Sequence, residues 1–180
     1  MPVWTIVEGR LHDGLPMRLH LAANEGRLWR ASLSDDNHPV TTDEFLSHLG
    51  SPHVWSRWEH GTGAGLLDAA AMQVENYFKG RLRTFDLPLE IRGTPFQVSV
   101  WNALRQIPYG ETQSYGTVAM AIGHPEAVRA VGGANGRNRL PLLIPCHRVV
   151  AAGGKLGGFT GGLGLKKRLL AHEANFAAAS

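Results

Sequence analysis

Apolar and polar residues alternate along "GLPMRLHLAA", residues 14–23, so that Met17, Leu19 and Leu21 fall on one side and Arg18 and His20 on the other. That two-residue period predicts a strand. "NEG", residues 24–26, is turn chemistry and "RLWRASLS" resumes the strand pattern, which predicts a hairpin. Residues 34–64 lose the periodicity, carry several Asp, His, Ser and Gly, and are expected to form an irregular connection. The period then lengthens in "GLLDAAAMQVENYFKG", where Leu67, Ala71, Val74 and Phe78 form a helical stripe and Gly80 stands where a C-terminal cap belongs. "RTFDLPLEI", residues 83–91, reads as a closing strand.

The second half opens on "TPFQVSVWNALRQIPYG". Thr94 as N-cap, Pro95 at the first helical position and Gln97 three residues after Thr94 make a capping box ahead of the stripe Phe96, Val100, Leu104 and Ile107. Pro108 and Gly110 end that helix. "SYGTVAMAIGHPEAVRAVGGANGRN" predicts a short helix over Tyr115 to Ile122, a turn at Gly123 to Pro125 and a second helix from Glu126 to about Asn135, the signature of a helix-turn-helix. The change of character near residue 91 predicts two domains, 1–90 and 91–180.

The second of these helices is built from small side chains: Ala127, Ala130, Gly132, Gly133 and Ala134, with Arg129 the one long side chain. Two glycines inside a helix cost roughly 1 kcal/mol each relative to alanine. Either the helix packs closely against another, or it enters a narrow groove of DNA where bulk would collide and one arginine penetrates. It carries few of the side chains that read base edges. On the DNA reading, binding is through the minor groove with little sequence preference.

Charge sharpens the division. Residues 1–90 hold 8 Lys+Arg against 12 Asp+Glu, a balance of −4, whereas residues 91–180 hold 10 against 3, a balance of +7. A basic half nearly free of acids suits a phosphate partner. The chain of 180 residues with one cysteine excludes an internal disulfide and a Cys-rich zinc site, and fits a reducing cytoplasm. No apolar run approaches a membrane span, and the N-terminus lacks a basic segment followed by an apolar stretch, so a soluble, intracellular protein is expected. His12, His20, His38, His48, His53 and His60 lack paired ligand spacing, so surface or turn positions are expected and no metal is assigned. In "AAGGKLGGFTGG", Lys155 is followed by Leu156 rather than Ser or Thr, which argues against a phosphate-binding loop; a closely approaching ligand or plain flexibility would explain its glycines.

The lone cysteine, Cys146, lies in "LLIPCHRVV". By residue type it is either a small buried hydrophobe or a nucleophile. A free thiol titrates near ~8.5, and the thiolate is the reactive form. A nucleophilic Cys146 therefore needs a base or nearby positive charge. His147 and Arg148 follow it, and Glu173 of "LGLKKRLLAHEANF" could orient a histidine. In an extended chain neighbours face opposite ways, so a bridging water is the simplest link from Cys146 to His147.

Taken together, "SYGTVAMAIGHPEAVRAVGGANGRN", "IPCHRVV" and "GGFTGGLGLKKRLLAHE" resemble the O6-alkylguanine-DNA alkyltransferases, also called methylated-DNA–protein-cysteine methyltransferases, over nearly all of residues 91–174. The resemblance implies an α/β protein: a small ribonuclease H-like α/β domain, then a mainly helical, winged-helix-like domain with the helix-turn-helix. It makes Cys146 the alkyl acceptor, an ionised sulfur beside an extruded purine, with His147 and Glu173 relaying its proton through water and Asn138 holding that network. Tyr115 would crowd the nucleotide's phosphate and donate to the departing base. Arg129 would enter the duplex where the guanine was, with Ala130, Gly132 and Arg137 also against DNA. Pro141, Val149, Phe159 and Thr160 would line the base pocket.

The implied activity is one irreversible transfer from double-stranded DNA carrying O6-alkylguanine, with O4-alkylthymine as a second candidate lesion, to a cytoplasmic monomer without cofactor. Two positions depart from the family pattern: Arg139 replaces the usual proline, and Phe159 replaces the tyrosine of many members. Three rival readings are a non-catalytic binder of alkylated DNA, a helix-turn-helix transcription regulator and a cysteine hydrolase that turns over repeatedly.

Overall fold

The computed structural model describes residues 2–50, 56–58 and 65–178. The chain forms two compact units, Met1–Glu90 and Ile91–Ser180. In the first, β1 (Val3–Arg10), β2 (Pro16–Asn24) and β3 (Arg27–Ser34) pair antiparallel, and the two-residue β4 (Ser56–Arg57) runs parallel to β1, giving the order β3-β2-β1-β4. The hairpin turns on Glu25 and Gly26, at φ of 50° and 73°, the left-handed pair that matches strand twist.

Both faces of this sheet are covered. Register places Thr5, Val7 and Gly9 beside Leu21, Leu19 and Met17, under α2 (Leu66–Phe78). A Cβ at Gly9 would overlap the Phe78 ring, so glycine there lets the helix close on the strand. The opposite face carries Trp4 and Ala22, packed with Phe45 and Leu49. Phe45 comes from α1 (Thr42–Ser47), whose N-cap Thr41 and Glu44 form a capping box.

Several expectations need correction here. His20 is not a surface residue: it is 1% exposed, its ring 5.2 Å from that of Phe45, because α1 covers what alternation alone marks as the polar face. Residues 34–64 are not irregular throughout, since they contain α1, β4 and an Asp35–His38 bridge. His53 and His60 lie outside the described residues. Residues 83–91 do not form a strand; they meet β3 only at Leu28, which donates to Pro88 O at 2.9 Å and accepts from Glu90 N at 2.7 Å. Pro88 has no N–H to extend a ladder. The Gln73 side chain instead binds both backbone groups of Asp86, at 2.9 Å each.

The second unit is mainly helical: α3 (Pro95–Leu104), α4 (Tyr115–Ala121), α5 (Val128–Gly136) and α6 (Gly162–Ala177), with a parallel pair formed by β5 (Gln113–Ser114) and β6 (Val149–Val150). The Thr94/Gln97 capping box forms with Pro95 behind it, though α3 stops at Leu104, short of Pro108, and Ile107 is buried in the turn that follows. The helix-turn-helix pair is present as α4 and α5. However, α5 starts at Val128, not Glu126, because His124 to Ala127 closes a turn of its own through Ala127 N to His124 O at 2.9 Å. Among the described residues no helix is long and apolar enough to cross a membrane.

Candidate active site around Cys146

Cys146 begins a single 3-10 turn, Cys146–Arg148, so the extended backbone assumed from sequence is absent. Upstream, Leu142 is buried at φ 73°, a left-handed conformation costly for a branched side chain. The backbone then folds back, with Ile144 N bound to Leu140 O and Cys146 N bound to Ile144 O, each at 2.8 Å. Downstream, β6 pairs with β5, setting Gln113 against Val149 and Ser114 against Val150. Tyr115 follows β5 directly. The acceptor segment and the first helix of the helix-turn-helix are thus joined by one short ladder.

A buried charge cluster lies beside the cysteine. Glu173 of α6 is fully buried and accepts from His147 Nε2 at 2.8 Å, Arg148 Nε at 2.9 Å and Arg148 Nη2 at 3.0 Å. The Gly110 N–H donates to the same carboxylate at 3.0 Å, while Arg148 Nη1 reaches Ile107 O at 2.7 Å. Burial opposes the charge on Glu173, but His147 and Arg148 outweigh it and hold the carboxyl well below its ordinary range. An ionised carboxylate only accepts, so His147 Nε2 carries the proton. Its Nδ1 is buried without a partner among the described residues, the position a base would use.

The thiol itself is not held ionised. Burial pushes it up to about 11, against the pull of Asn138, Lys166 and the backbone N–H groups of Cys146 and His147. This amends the sequence reading: at neutral pH the resting sulfur keeps its proton and must lose it during reaction. Asn138 also donates to Ile144 O at 2.8 Å. Burial, then the proximity of Cys146, raises Tyr115 above its usual range, keeping the phenol a proton donor.

Other candidate residues fall around this centre in different ways. Arg129 and Ala130 are exposed on α5, Gly132 is half-buried, and Arg137 is exposed at the helix end with Nη1 3.2 Å from Gly133 O. Close packing does not explain the glycines of α5. Among the described residues a Cβ at Gly132 would meet only the Tyr115 ring, at 3.9 Å, and one at Gly133 only the flexible end of Arg137, at 3.1 Å. Val149 is fully buried, whereas Pro141 and Phe159 are half-buried. Neither of the latter joins the polar network among the described residues. Thr160 is exposed and donates to Gly136 O at 3.2 Å, tying its loop to the end of α5. Arg139 is exposed.

Three contributors escaped the sequence reading. Lys166 is fully buried, donating to Val149 O at 2.5 Å and Gly157 O at 3.3 Å, and it faces the sulfur electrostatically. Its place among the apolar positions of α6 was the available signal. Gly110, read as a helix stop, supplies an N–H to Glu173 and stands at φ 80°. Gly157 is glycine because a Cβ would lie 2.5 Å from the Tyr115 hydroxyl; the close neighbour is protein, not ligand. Among the described residues no cluster of His, Cys, Asp or Glu could hold a metal.

Known proteins resemble this chain over most of its length. The family model described as 6-O-methylguanine DNA methyltransferase, DNA binding domain, matches residues 95–175. A methylated-DNA–protein-cysteine methyltransferase of Mycobacterium bovis is 51% identical over 161 residues, covering 89% of this chain and 96% of that protein. The constitutive enzyme of that name from Bacillus subtilis is 54% identical over 143 residues, 79% of this chain and 80% of its own. A crystal structure of Mycobacterium tuberculosis OGT in complex with DNA superposes with a TM-score of 0.75 at 38% identity, covering 97% of this chain and 94% of that one.

Proposed function

This chain belongs to the methylated-DNA–protein-cysteine methyltransferases, DNA-binding enzymes of direct repair, and from that premise we propose that it clears O6-alkylguanine from duplex DNA by a single transfer to Cys146. The observation that carries the assignment is the buried pair His147 Nε2 to Glu173 Oε1, 2.8 Å, beside the one cysteine of the chain. That pair leaves Nδ1 as the lone pair able to take a proton.

The alkylated oxygen lies inside the base stack, so the nucleotide must rotate out before any sulfur can reach it. Arg129, exposed on a helix whose small residues leave room for close approach, fills the gap, with Tyr115 pressing on the phosphate. Ala130, Gly132 and Arg137 follow the minor groove with little regard to sequence. Pro141, Val149, Phe159 and Thr160 surround the extruded base. The Cys146 proton then passes through a bridging water to His147 Nδ1, and Glu173 compensates the imidazolium. Asn138, Lys166 and the backbone N–H groups offset the cost of a buried thiolate.

The sulfur attacks the alkyl carbon, forming a C–S bond as the bond from carbon to guanine O6 breaks. The electron pair leaves with guanine, and the Tyr115 hydroxyl neutralises it. The thioether has no easy route back, so each chain acts once. The alkyl group comes from the lesion, and no cofactor takes part. The enzyme works as a cytoplasmic monomer. Replacing Cys146 with Ser is expected to abolish transfer while leaving affinity for lesion-containing duplex within a few fold; parallel loss of binding and transfer would refute this division of labour.

A further inference from the structure

A second asparagine, Asn135 of α5, reaches the acceptor segment. Asn135 is 2% exposed, and its Nδ2 lies 3.4 Å from the Cys146 carbonyl oxygen. A carbonyl only accepts, which fixes the amide nitrogen as the end facing it. The other end, Oδ1, is buried with no hydrogen-bond partner among the described residues. Leaving a buried acceptor unpaired costs stability, so an apolar residue of similar size would hold the fold at least as well. Trp101 Nε1 donates to Ala134 O at 2.9 Å, anchoring the backbone that carries Asn135 to α3.

The carbonyl that Asn135 holds belongs to the same peptide unit as the His147 N–H, and that N–H is one of the donors to the Cys146 sulfur. In a trans peptide the two groups point in opposite directions within one plane. Fixing the carbonyl therefore fixes where the N–H aims. The Val149 N–H also binds this carbonyl, closing the 3-10 turn, but that contact comes from within the same turn and moves with it. Asn135 is the restraint from a different element.

We propose that Asn135 is a positioning residue for the acceptor: its amide steadies the peptide between Cys146 and His147 so that the His147 N–H stays aimed at the sulfur while the thiolate forms. The proposal rests on Cys146 being the alkyl acceptor. It adds to Asn138, which grips the carbonyl on the other side, at Ile144. The charged and titratable groups facing the sulfur are Tyr115 from α4, Lys166 from α6 and, through His147, Glu173 from α6 and Arg148 from its own turn. None is altered by changing Asn135.

The test compares Asn135→Leu with the unaltered full-length protein, following reaction with free O6-benzylguanine across pH together with thermal melting. The expected result is an unchanged or higher Tm, and a rate about tenfold lower at neutral pH that recovers at high pH. Such a loss corresponds to about one unit of upward shift in the thiol titration. Equal rates at every pH, or a loss of the same factor at every pH, would overturn the proposal. Should Asn135→Leu fail to fold, Asn135→Ala is read by the same criteria. Alkylation of the unaltered protein at Cys146 in the parallel arm separates failure of this proposal from failure of the acceptor assignment.

Discussion

Both units of this protein bury histidines, and His20 and His147 are handled in opposite ways. In the first, His20 sits against the Phe45 ring with Nδ1 unpartnered among the described residues, and burial, assisted by Arg18 and opposed by a hydrogen bond to Ser32, lowers its affinity for a proton. In the second, His147 is locked to a carboxylate that also binds an arginine and a glycine N–H. The first is a neutral side chain filling space in a core. The second is a poised base. Burial alone distinguishes nothing; the ionised partner decides which histidine does chemistry.

The most damaging way to break this contrast is Glu173→Gln. It leaves Arg148 buried without its counter-charge, and uncompensated buried charge costs about 3–5 kcal/mol. Chemical denaturation is expected to show a loss of that order together with strongly reduced transfer. A loss below about 1 kcal/mol would mean that the cluster behaves like a solvated surface pair.

Acid sharpens the same contrast with a smaller effect. His20 has a folded-state pKa below its unfolded value near ~6.5, so the unfolded chain binds more protons and the stability that His20 contributes is lost as pH falls below that value. Glu173 is depressed from the carboxylate range, so its contribution persists until pH falls through ~4 and below. Hydrogen exchange should therefore show β1 to β3 loosening as pH falls below ~6.5, before α6 does. His20→Leu should remove that early loss and add about 1 kcal/mol by deleting the unpartnered nitrogen. Loosening of α6 first would contradict this ordering.

Much of this was legible in the residues, and the misses have physical causes. Local signals carried furthest where side chain and backbone act within a few residues: the Thr94/Gln97 box, the Gly80 cap and the stripe of α2 all form. The polar face of β2 misled because α1, from a stretch without clear period, folds over it. Pro88 and Gln73 replaced a ladder that the pattern of 83–91 suggested. Around the site, residue type marked Cys146, His147 and Glu173. It could not reveal that Arg148 faces inward to Glu173, that Lys166 is buried beside the sulfur, or that burial keeps the thiol protonated. Those depend on contacts between residues 17 to 41 positions apart, which no local period encodes.

The comparison also reassigns part of the charge asymmetry. Of the cations in the basic second half, Arg148 and Lys166 serve the interior, while Arg129, Arg137, Arg139, Lys155 and Lys167 are exposed and available to phosphates.

The central claim is that carbon moves once, from DNA to one sulfur. Intact-mass analysis with peptide mapping, after incubation with an excess of duplex containing O6-methylguanine, tests it most directly. The prediction is one added methyl per chain, located on Cys146, with an equal amount of DNA restored. Repaired DNA exceeding the amount of protein, or a methyl group found on any other residue, would contradict it.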